Sequence, residues 1–368
     1  MGWSAGRRVG ILGGLVCGLA GCLPEGAPPW LVDHAIVASI RFDVVVPGPY
    51  SPSSPREDRS IASLMPGDRL RATPFLVGPD GVIDAEDVKP AWFYCRTTRC
   101  AVDLTLPESP RDCEVEAVGS TDTCALGRAG APDLKLGEMI SLVDLFLDPP
   151  ALFMVAGTPG GESTSECVTR LRELDARGET LRRCILIMEP LPLGPLWRLM
   201  VLAGFAELPD ALPLKGITPE VQAAEPALYP AVLPFELTIT GVDGVTRERI
   251  AVEGASVAVA RGELVEIFAP VDVFDAQIYY QALVGSGIDV VFQAGFENFT
   301  STWLFTGDVA PSYSGLDGDD GEPPTGATAV QRVWFSIPED APDTIHGYYL
   351  LGDGRSEVWA WLRFEVEP

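Results

Sequence analysis

The chain has 368 residues, enough for two or three compact domains, and 52 acidic against 26 basic residues give it a formal charge of −26. Such an acidic surface repels a phosphate backbone, which disfavours nucleic-acid binding, and two histidines leave little for histidine-based metal sites or a Ser-His-Asp relay. The 38 glycines and 33 prolines favour turn-rich β architecture, while 47% hydrophobic residues argue against a disordered acidic tail.

Residues 1–21 have the features of a secretion signal. Arg7 and Arg8 form a positively charged start, and an apolar stretch follows over residues 9–20. This stretch is shorter than the run of about 20 residues that a helix needs to cross a bilayer. It leads directly into Leu19-Ala20-Gly21-Cys22.

The sequence Leu19-Ala20-Gly21-Cys22 resembles the lipobox of bacterial lipoproteins. The resemblance implies that the Cys22 thiol is joined to diacylglycerol, that the signal is removed, and that palmitate-type acyl chains anchor the protein in a membrane. Leu23 follows the anchor, so nothing resembles an inner-membrane retention signal, and we expect an outer-membrane or cell-surface location. The alternative is an ordinary secretory signal with an unrelated cysteine.

A proline-rich tether over residues 22–30 precedes a predicted first β-sandwich block over residues 31–207. The block begins with a strand at residues 35–46, which are rich in Ile, Val and Phe. The turn Pro66-Gly67-Asp68 then precedes an alternating strand, and Trp92 lies in a short aromatic strand. Turns alternating with short strands, one of them bearing Trp, are typical of a β-sandwich.

Six cysteines remain once Cys17 leaves with the signal and Cys22 carries lipid. An even number in an exported chain predicts disulfides, although sequence alone leaves the connectivity open, and pairing between near neighbours is the favoured interpretation. The alternative is a zinc site formed by the first four of them. The six are Cys95, Cys100, Cys113, Cys124, Cys167 and Cys184.

One amphipathic helix is predicted over residues 165–177. Apolar side chains recur on one face, serines at 163 and 165 offer N-cap hydroxyls, and Gly178 suits the end of the helix. Glu166 and Arg170 are spaced for an ion pair. A buried strand begins at Cys184, so a Cys167–Cys184 bridge would join helix to strand.

A proline-rich linker over residues 208–234 separates this block from a second β-sandwich block over residues 235–368. Arg261-Gly262-Glu263 and the Trp303 strand repeat the order of turn and Trp strand seen in the first block. At this point the chain resembles bacterial Ig-like domains of exported lipoproteins, although Arg261 stands where that pattern has proline. The alternative is chance similarity between two β segments.

Two features of the second block are candidate ligand sites. The acidic segment at residues 316–322 offers oxygen ligands for calcium from Asp317, Asp319, Asp320 and Glu322, although a solvated acidic loop is the favoured interpretation. In the last strand, period-two alternation places Trp359 and Trp361 on the face opposite the core. They form either an aromatic platform for a sugar or partner, or a surface covered by the other domain.

The predicted fold is mainly β, with two Ig-like β-sandwich domains and a small disulfide-linked helical insertion. The predicted function is a lipid-anchored envelope or surface lipoprotein with a non-catalytic binding or structural role, without a cofactor. Its predicted partners are the membrane, through the lipid, and an unknown envelope protein or glycan, but no nucleic acid. The alternatives are a carbohydrate-binding or calcium-dependent adhesion module and, third, a hydrolase with an unidentified carboxylate pair.

Overall fold

The computed structural model describes residues 28–52, 60–95, 123–137, 149–172, 184–195, 198–199, 219–222, 226–272, 278–284, 290–296, 299–314, 328–353 and 356–367. The fold is mainly β and consists of two β-sandwiches with a small disulfide-linked helix, which confirms the predicted fold class. Cys22, Cys100, Cys113 and the residues of the proposed calcium loop lie outside the described residues.

The described residues form nineteen strands and three short helices. The strands are β1 Ile36–Val46, β2 Arg69–Gly78, β3 Gly81–Ile83, β4 Ala91–Cys95, β5 Thr123–Arg128, β6 Asp133–Lys135, β7 Ala151–Gly157, β8 Cys184–Pro190, β9 Phe235–Thr240, β10 Thr246–Ala251, β11 Ser256–Ala260, β12 Leu264–Asp272, β13 Ile278–Val284, β14 Val290–Phe296, β15 Thr300–Phe305, β16 Ser312–Tyr313, β17 Thr328–Ser336, β18 Thr344–Gly352 and β19 Glu357–Glu367. The helices are α1 Ala85–Val88, α2 Thr164–Arg172 and α3 Pro219–Gln222.

The first sandwich packs two antiparallel sheets against each other. One has the order β1-β2-β3, with β6 also paired to β2, and the other has the order β5-β4-β7-β8. Leu70 from the first sheet and Trp92 from the second are fully buried in the shared core. The Trp92 ring also donates from Nε1 to the Ala129 carbonyl oxygen at 2.9 Å. A buried tryptophan with its polar atom satisfied anchors this core.

Both faces of the second sheet are buried because α2 covers the face that points away from the core. Every residue of β4 and β7 is buried, and Phe93 and Phe153 pack under Val168 of the helix. The predicted Cys167–Cys184 disulfide is present and joins α2 to β8. Short strands that are buried on both faces contain almost only apolar residues, as in the sequence of β7.

Helix α2 begins with the predicted cap. The Ser163 hydroxyl accepts from the Glu166 amide at 3.3 Å, while the Glu166 carboxylate accepts from the Ser163 amide at 2.7 Å. This reciprocal pair is a capping box. The predicted Glu166–Arg170 ion pair is not the one that forms, because Arg170 reaches Glu162 instead, at 2.7 Å. Glu162 offers the more buried carboxylate, and Glu166 is already engaged at the cap.

The second sandwich has a five-stranded sheet, β10-β9-β12-β17-β16, packed on a four-stranded sheet, β11-β19-β18-β15. Strand β11 pairs parallel to β19, and the other pairs are antiparallel. Trp303, Phe335 and Phe364 lie in the shared core with at most 2% of each residue exposed. Strands β13 and β14 form a separate two-stranded sheet.

The two predicted turns share one side-chain hydrogen bond, to the amide three residues before the acid. The Asp68 carboxylate accepts from the Met65 amide at 2.7 Å, and the Glu263 carboxylate accepts from the Ala260 amide at 2.8 Å. Each acid follows a glycine with positive φ, 84° at Gly67 and 79° at Gly262. Each turn also leads into a central strand, β2 or β12. The equivalence supports internal duplication, since Arg261 replaces the proline without changing this geometry.

Part of the predicted linker is packed rather than free. Residues 226–230 are buried, and Tyr229 donates from its hydroxyl to the Phe42 carbonyl at 2.8 Å while accepting from the Phe42 amide. Its neighbour Leu228 forms a bridge with Ile61. The apolar residues among the prolines explain the difference, because burying them against both sandwiches removes apolar surface from water.

The start of the first block is also bound to the second sandwich. Val32 donates its amide to the Phe305 carbonyl at 2.8 Å, and the Phe305 amide donates to the Trp30 carbonyl at 2.7 Å. The Trp30 ring donates from Nε1 to the Val309 carbonyl at 3.1 Å. Residues 30–32, which we call the strap, therefore pair with edge strand β15 before the chain enters β1.

Candidate functional site

The predicted aromatic platform lies in the interface between the two sandwiches. Trp359 and Trp361 are half-buried and pack with Tyr348 and Leu350 against the outer face of the first sandwich. Trp359 stacks on Phe75 with ring centroids 5.0 Å apart. The opposite face of β19 is buried in the sandwich core, as predicted. The contacts with the first sandwich show that the tryptophans are covered by the other domain. The interpretation as a free platform is wrong, because large aromatic surfaces gain most from burial.

The predicted zinc site is excluded at two of its four positions. Cys95 and Cys124 are both disulfide-bonded and cannot serve as thiolate ligands. Glu162, Cys167 and Cys184 also have possible ligand atoms within 4.8 Å of one another. The two sulfurs are joined in the disulfide, however, and Arg170 occupies the carboxylate. That cluster is therefore structural.

A groove of about 920 Å³ lies on the first sandwich. It lies between the turn at residues 78–81 and the loop at residues 157–161 that leads into α2. Its side chains carry both signs of charge, with Asp80, Asp84 and Asp87 against Lys89 and Arg128. The glycine-rich loop has no lysine, and the capping box occupies the helix end, so this groove is not built to hold phosphate.

A second cavity, of about 430 Å³, lies on the second sandwich where edge strands β15 and β16 leave an opening between the two sheets. We call it the edge pocket. The strap contributes Trp30, and aromatic rings, hydroxyls and one amide complete its walls. Six of its lining residues are Trp30, Phe299, Ser301, Trp303, Tyr313 and Gln331.

A third cavity, of about 440 Å³, lies between the sandwiches and contains two carboxylates, Glu189 and Glu357. Burial, with a smaller contribution from the negative charge of Glu357, raises the pKa of Glu189 to about 7. Burial also raises the pKa of Glu357, although a hydrogen bond from Ser39 opposes it. The pair brings a carboxylate from β8 beside one from β19, which are 168 positions apart in the chain. No sequence motif joins them.

Within the described ranges, none of the helices has the length and apolar character needed to cross a membrane. A comparison of the sequence with protein-family models and with curated proteins finds no match to either. The candidate sites therefore depend on the residues of this chain alone.

Sequence reasoning placed Trp303 on a strand of the second block but did not single out Trp30, Tyr313 or Gln331. One signal was available. In β17, Gln331 lies at the same alternation phase as Val333 and Phe335, both of which are in the core. A glutamine in phase with a row of core residues indicates a buried polar group, and such a group needs a partner.

Proposed function

We propose that this protein is a lipid-anchored envelope or surface lipoprotein with a non-catalytic binding role, tethered through Cys22. The observation that carries this proposal is the strap, which binds the chain just after the tether to edge strand β15. The strap fixes the point at which the tether leaves the body, at the β15 edge of the second sandwich. The two sandwiches follow as a unit because Phe75 and Trp359 join them.

The disulfides support export. Cys167 and Cys184 are bonded to each other, and Cys95 and Cys124 are each in a disulfide. Disulfides form and persist in oxidising compartments outside the cytosol. This agrees with the resemblance of residues 1–22 to a lipoprotein signal.

The tether length limits the distance between the lipid anchor at Cys22 and the strap. Cys22 lies eight positions before Trp30, which allows at most about 27 Å of extended chain. Trp30, which lines the edge pocket, therefore lies within about 27 Å of the proposed lipid anchor. Removal of the signal leaves 24 basic against 52 acidic residues, so lipid rather than basic charge holds the protein to an anionic surface.

The anchor is tested by the intact mass of protein extracted from membranes. We expect the mass of a chain beginning at Cys22 plus diacylglycerol or three acyl chains, and we expect Cys22→Ala to leave the membrane fraction. The matched control is Cys17→Ala, which changes a cysteine within the predicted signal. An unmodified Cys22 in membrane-extracted wild-type protein would contradict the proposal.

The binding role is tested by photo-crosslinking in intact cells. A crosslinking residue introduced in the groove, at Asp84, and one in the edge pocket, at Thr302, sample one cavity on each sandwich. A defined envelope protein or glycan bound at either position supports the proposal. Absence of any adduct at both positions, in protein shown to be lipidated, argues for a structural role instead.

A further inference from the structure

Two side chains that line the edge pocket each have a buried polar atom without a hydrogen-bond partner in the described part of the protein. Gln331 is 6% exposed and donates its Nε2 to the Ser301 carbonyl at 3.4 Å, while its Oε1 has no partner there. Trp303 is 1% exposed, and its Nε1 also has no partner. A buried polar atom without a partner is costly, so native proteins usually satisfy it with water or ligand.

The two atoms are complementary in their chemistry. Gln331 Oε1 is an acceptor, and Trp303 Nε1 is a donor. A hydroxyl group both donates and accepts, so a ligand with several hydroxyls offers the kind of partner that both atoms lack. Thr302 is exposed at the rim and adds a further hydroxyl there, whereas the Thr300 hydroxyl donates to the Gly352 carbonyl at 3.5 Å.

The residues that line the edge pocket carry no charge among those the structure describes. Tyr313 is the one titratable side chain among them, and burial raises its pKa to about 12, so it remains a neutral hydroxyl at physiological pH. A charged ligand would therefore lose its hydration without gaining an ion pair. This favours a neutral ligand.

Aromatic rings supply the remaining surface. Trp30 and Phe299 are half-buried at the pocket, and Tyr313 is 39% exposed. Aromatic faces pack against the apolar C–H faces of a sugar ring while hydroxyls and amides bind its edge. We propose that the edge pocket binds a neutral saccharide, presented either as a free glycan or as the headgroup of a glycolipid.

This inference rests on the proposed binding function and names its ligand class. It differs in place from the sequence prediction, which put a sugar platform at Trp359 and Trp361. The strap connects the pocket to the anchor, because Trp30 lines the pocket and the chain before it leads back to Cys22. A saccharide close to the membrane surface is therefore within reach of the anchored protein.

The test is a titration of the full chain, extracted in detergent, with neutral trisaccharides of glucose and of N-acetylglucosamine. Tryptophan fluorescence and calorimetry report binding. A second arm measures association with phosphatidylcholine vesicles that contain or lack monogalactosyl diacylglycerol. We expect saturable binding in at least one arm, a tenfold or greater loss in Gln331→Met, and about a threefold loss in Thr302→Val.

Two variants at exposed positions keep the outcome interpretable. Thr302 is exposed, so Thr302→Val reports on the pocket even where Gln331→Met unfolds, and Thr246→Val makes the same change on β10, at the far edge of the facing sheet. Binding in the vesicle arm alone identifies the glycolipid source. No binding in either arm, or binding that both pocket variants leave unchanged, overturns the saccharide inference. If lipid at Cys22 and a crosslinked partner persist in that case, the proposed function stands without it.

Discussion

Phe75 of the first sandwich and Trp359 of the second stack with their rings 4° from parallel and their centroids 5.0 Å apart. Phe75 is 3% exposed, and its ring makes an edge-to-face contact with the Tyr348 ring, with the centroids 6.0 Å apart. The Tyr348 hydroxyl also donates to the Gly78 carbonyl at 2.9 Å, from one sandwich to the other. The outer face of β18 and β19 therefore acts as a joint between the domains.

We expect Trp359→Ala to loosen this joint. Removing a half-buried aromatic side chain from packed surroundings costs about 2 kcal/mol, toward the low end for large-to-small changes. Urea unfolding followed by fluorescence and circular dichroism should show lower stability and a separation of the two sandwich transitions. Each sandwich keeps its own core in this variant, so we expect both sandwiches to remain folded without denaturant.

The matched control is Trp334→Ala, because Trp334 is half-buried on β17 and lies outside the interface cluster. It should lower stability without splitting the transition. A double-mutant cycle with Phe75→Ala should give a coupling of about 0.5–1.5 kcal/mol for the stack. A coupling near zero, together with one cooperative transition in Trp359→Ala, would show that the stack does not join the domains.

The second prediction concerns the turn at Glu263. This carboxylate accepts from Arg247 Nη1 at 2.7 Å and Nη2 at 2.6 Å, and also from the Ala260 amide. Burial alone raises the pKa of Glu263, but these hydrogen bonds outweigh it, so its pKa lies below the usual value. Glu263→Ala should therefore lower the free energy of unfolding by about 2–3 kcal/mol at pH 7.

The pH dependence gives this prediction a second readout. Because the folded pKa is lowered, the carboxylate contributes stability above its unfolded pKa and loses that contribution as the pH falls through the folded pKa. The difference between wild type and Glu263→Ala should shrink in acid. Exposed Glu248→Ala, on β10, is the control and should show little difference at any pH. A constant difference across the acid range would contradict the ionic account of the turn.

Much of the fold could be predicted from the sequence because short-range patterns carry it. Alternation and turn residues predicted strands at the positions of β1, β4, β15 and β19. The helix and its disulfide followed from an apolar stripe and a cysteine at each element. The sequence did not show that residues 226–230 of the predicted linker are buried, since a proline-rich composition does not reveal which apolar residues find a surface to cover.

The candidate site was less predictable because it depends on contacts between distant segments. The alternation in β19 correctly placed Trp359 away from the core. It could not show that Phe75 of β2 would cover Trp359. Gln331 and Trp30 meet at the edge pocket although 301 positions separate them. Only the packing of the strap on β15 brings them together.

The third prediction concerns the Cys167–Cys184 disulfide, which closes a short loop with a sequence separation of 17. The chain-entropy argument gives a stabilisation of about 3 kcal/mol for a loop of this length. Cys167→Ala/Cys184→Ala should lower stability by about that amount, measured by urea unfolding without reductant. With reductant present throughout, the wild-type protein should lose the same amount of its free energy of unfolding. Equal midpoints for wild type and the double variant without reductant would show that α2 is held by packing alone.

The last prediction concerns Glu189 in the cavity between the sandwiches. Burial, reinforced by the charge of Glu357, raises its folded pKa from the usual 4.5 to about 7. Ionisation therefore costs the folded state more than the unfolded chain. The contribution of Glu189 to the free energy of unfolding is fully present below about pH 4.5. It falls as the pH rises to about 7, above which the carboxylate is charged in both the folded and the unfolded state.

Glu189→Gln removes the ionisation and should stabilise the protein by about 2–3 kcal/mol at pH 8, with little effect at pH 4.5. Thermal unfolding midpoints across this pH range provide the measurement. Glu357→Gln tests the coupling, because removing that neighbouring charge should move the Glu189 transition toward lower pH. Glu248→Gln, at an exposed position, should follow the wild-type profile. If Glu189→Gln also follows the wild-type profile, then Glu189 is ionised in the cavity with its ordinary pKa, and the cavity is more hydrated than its buried walls indicate.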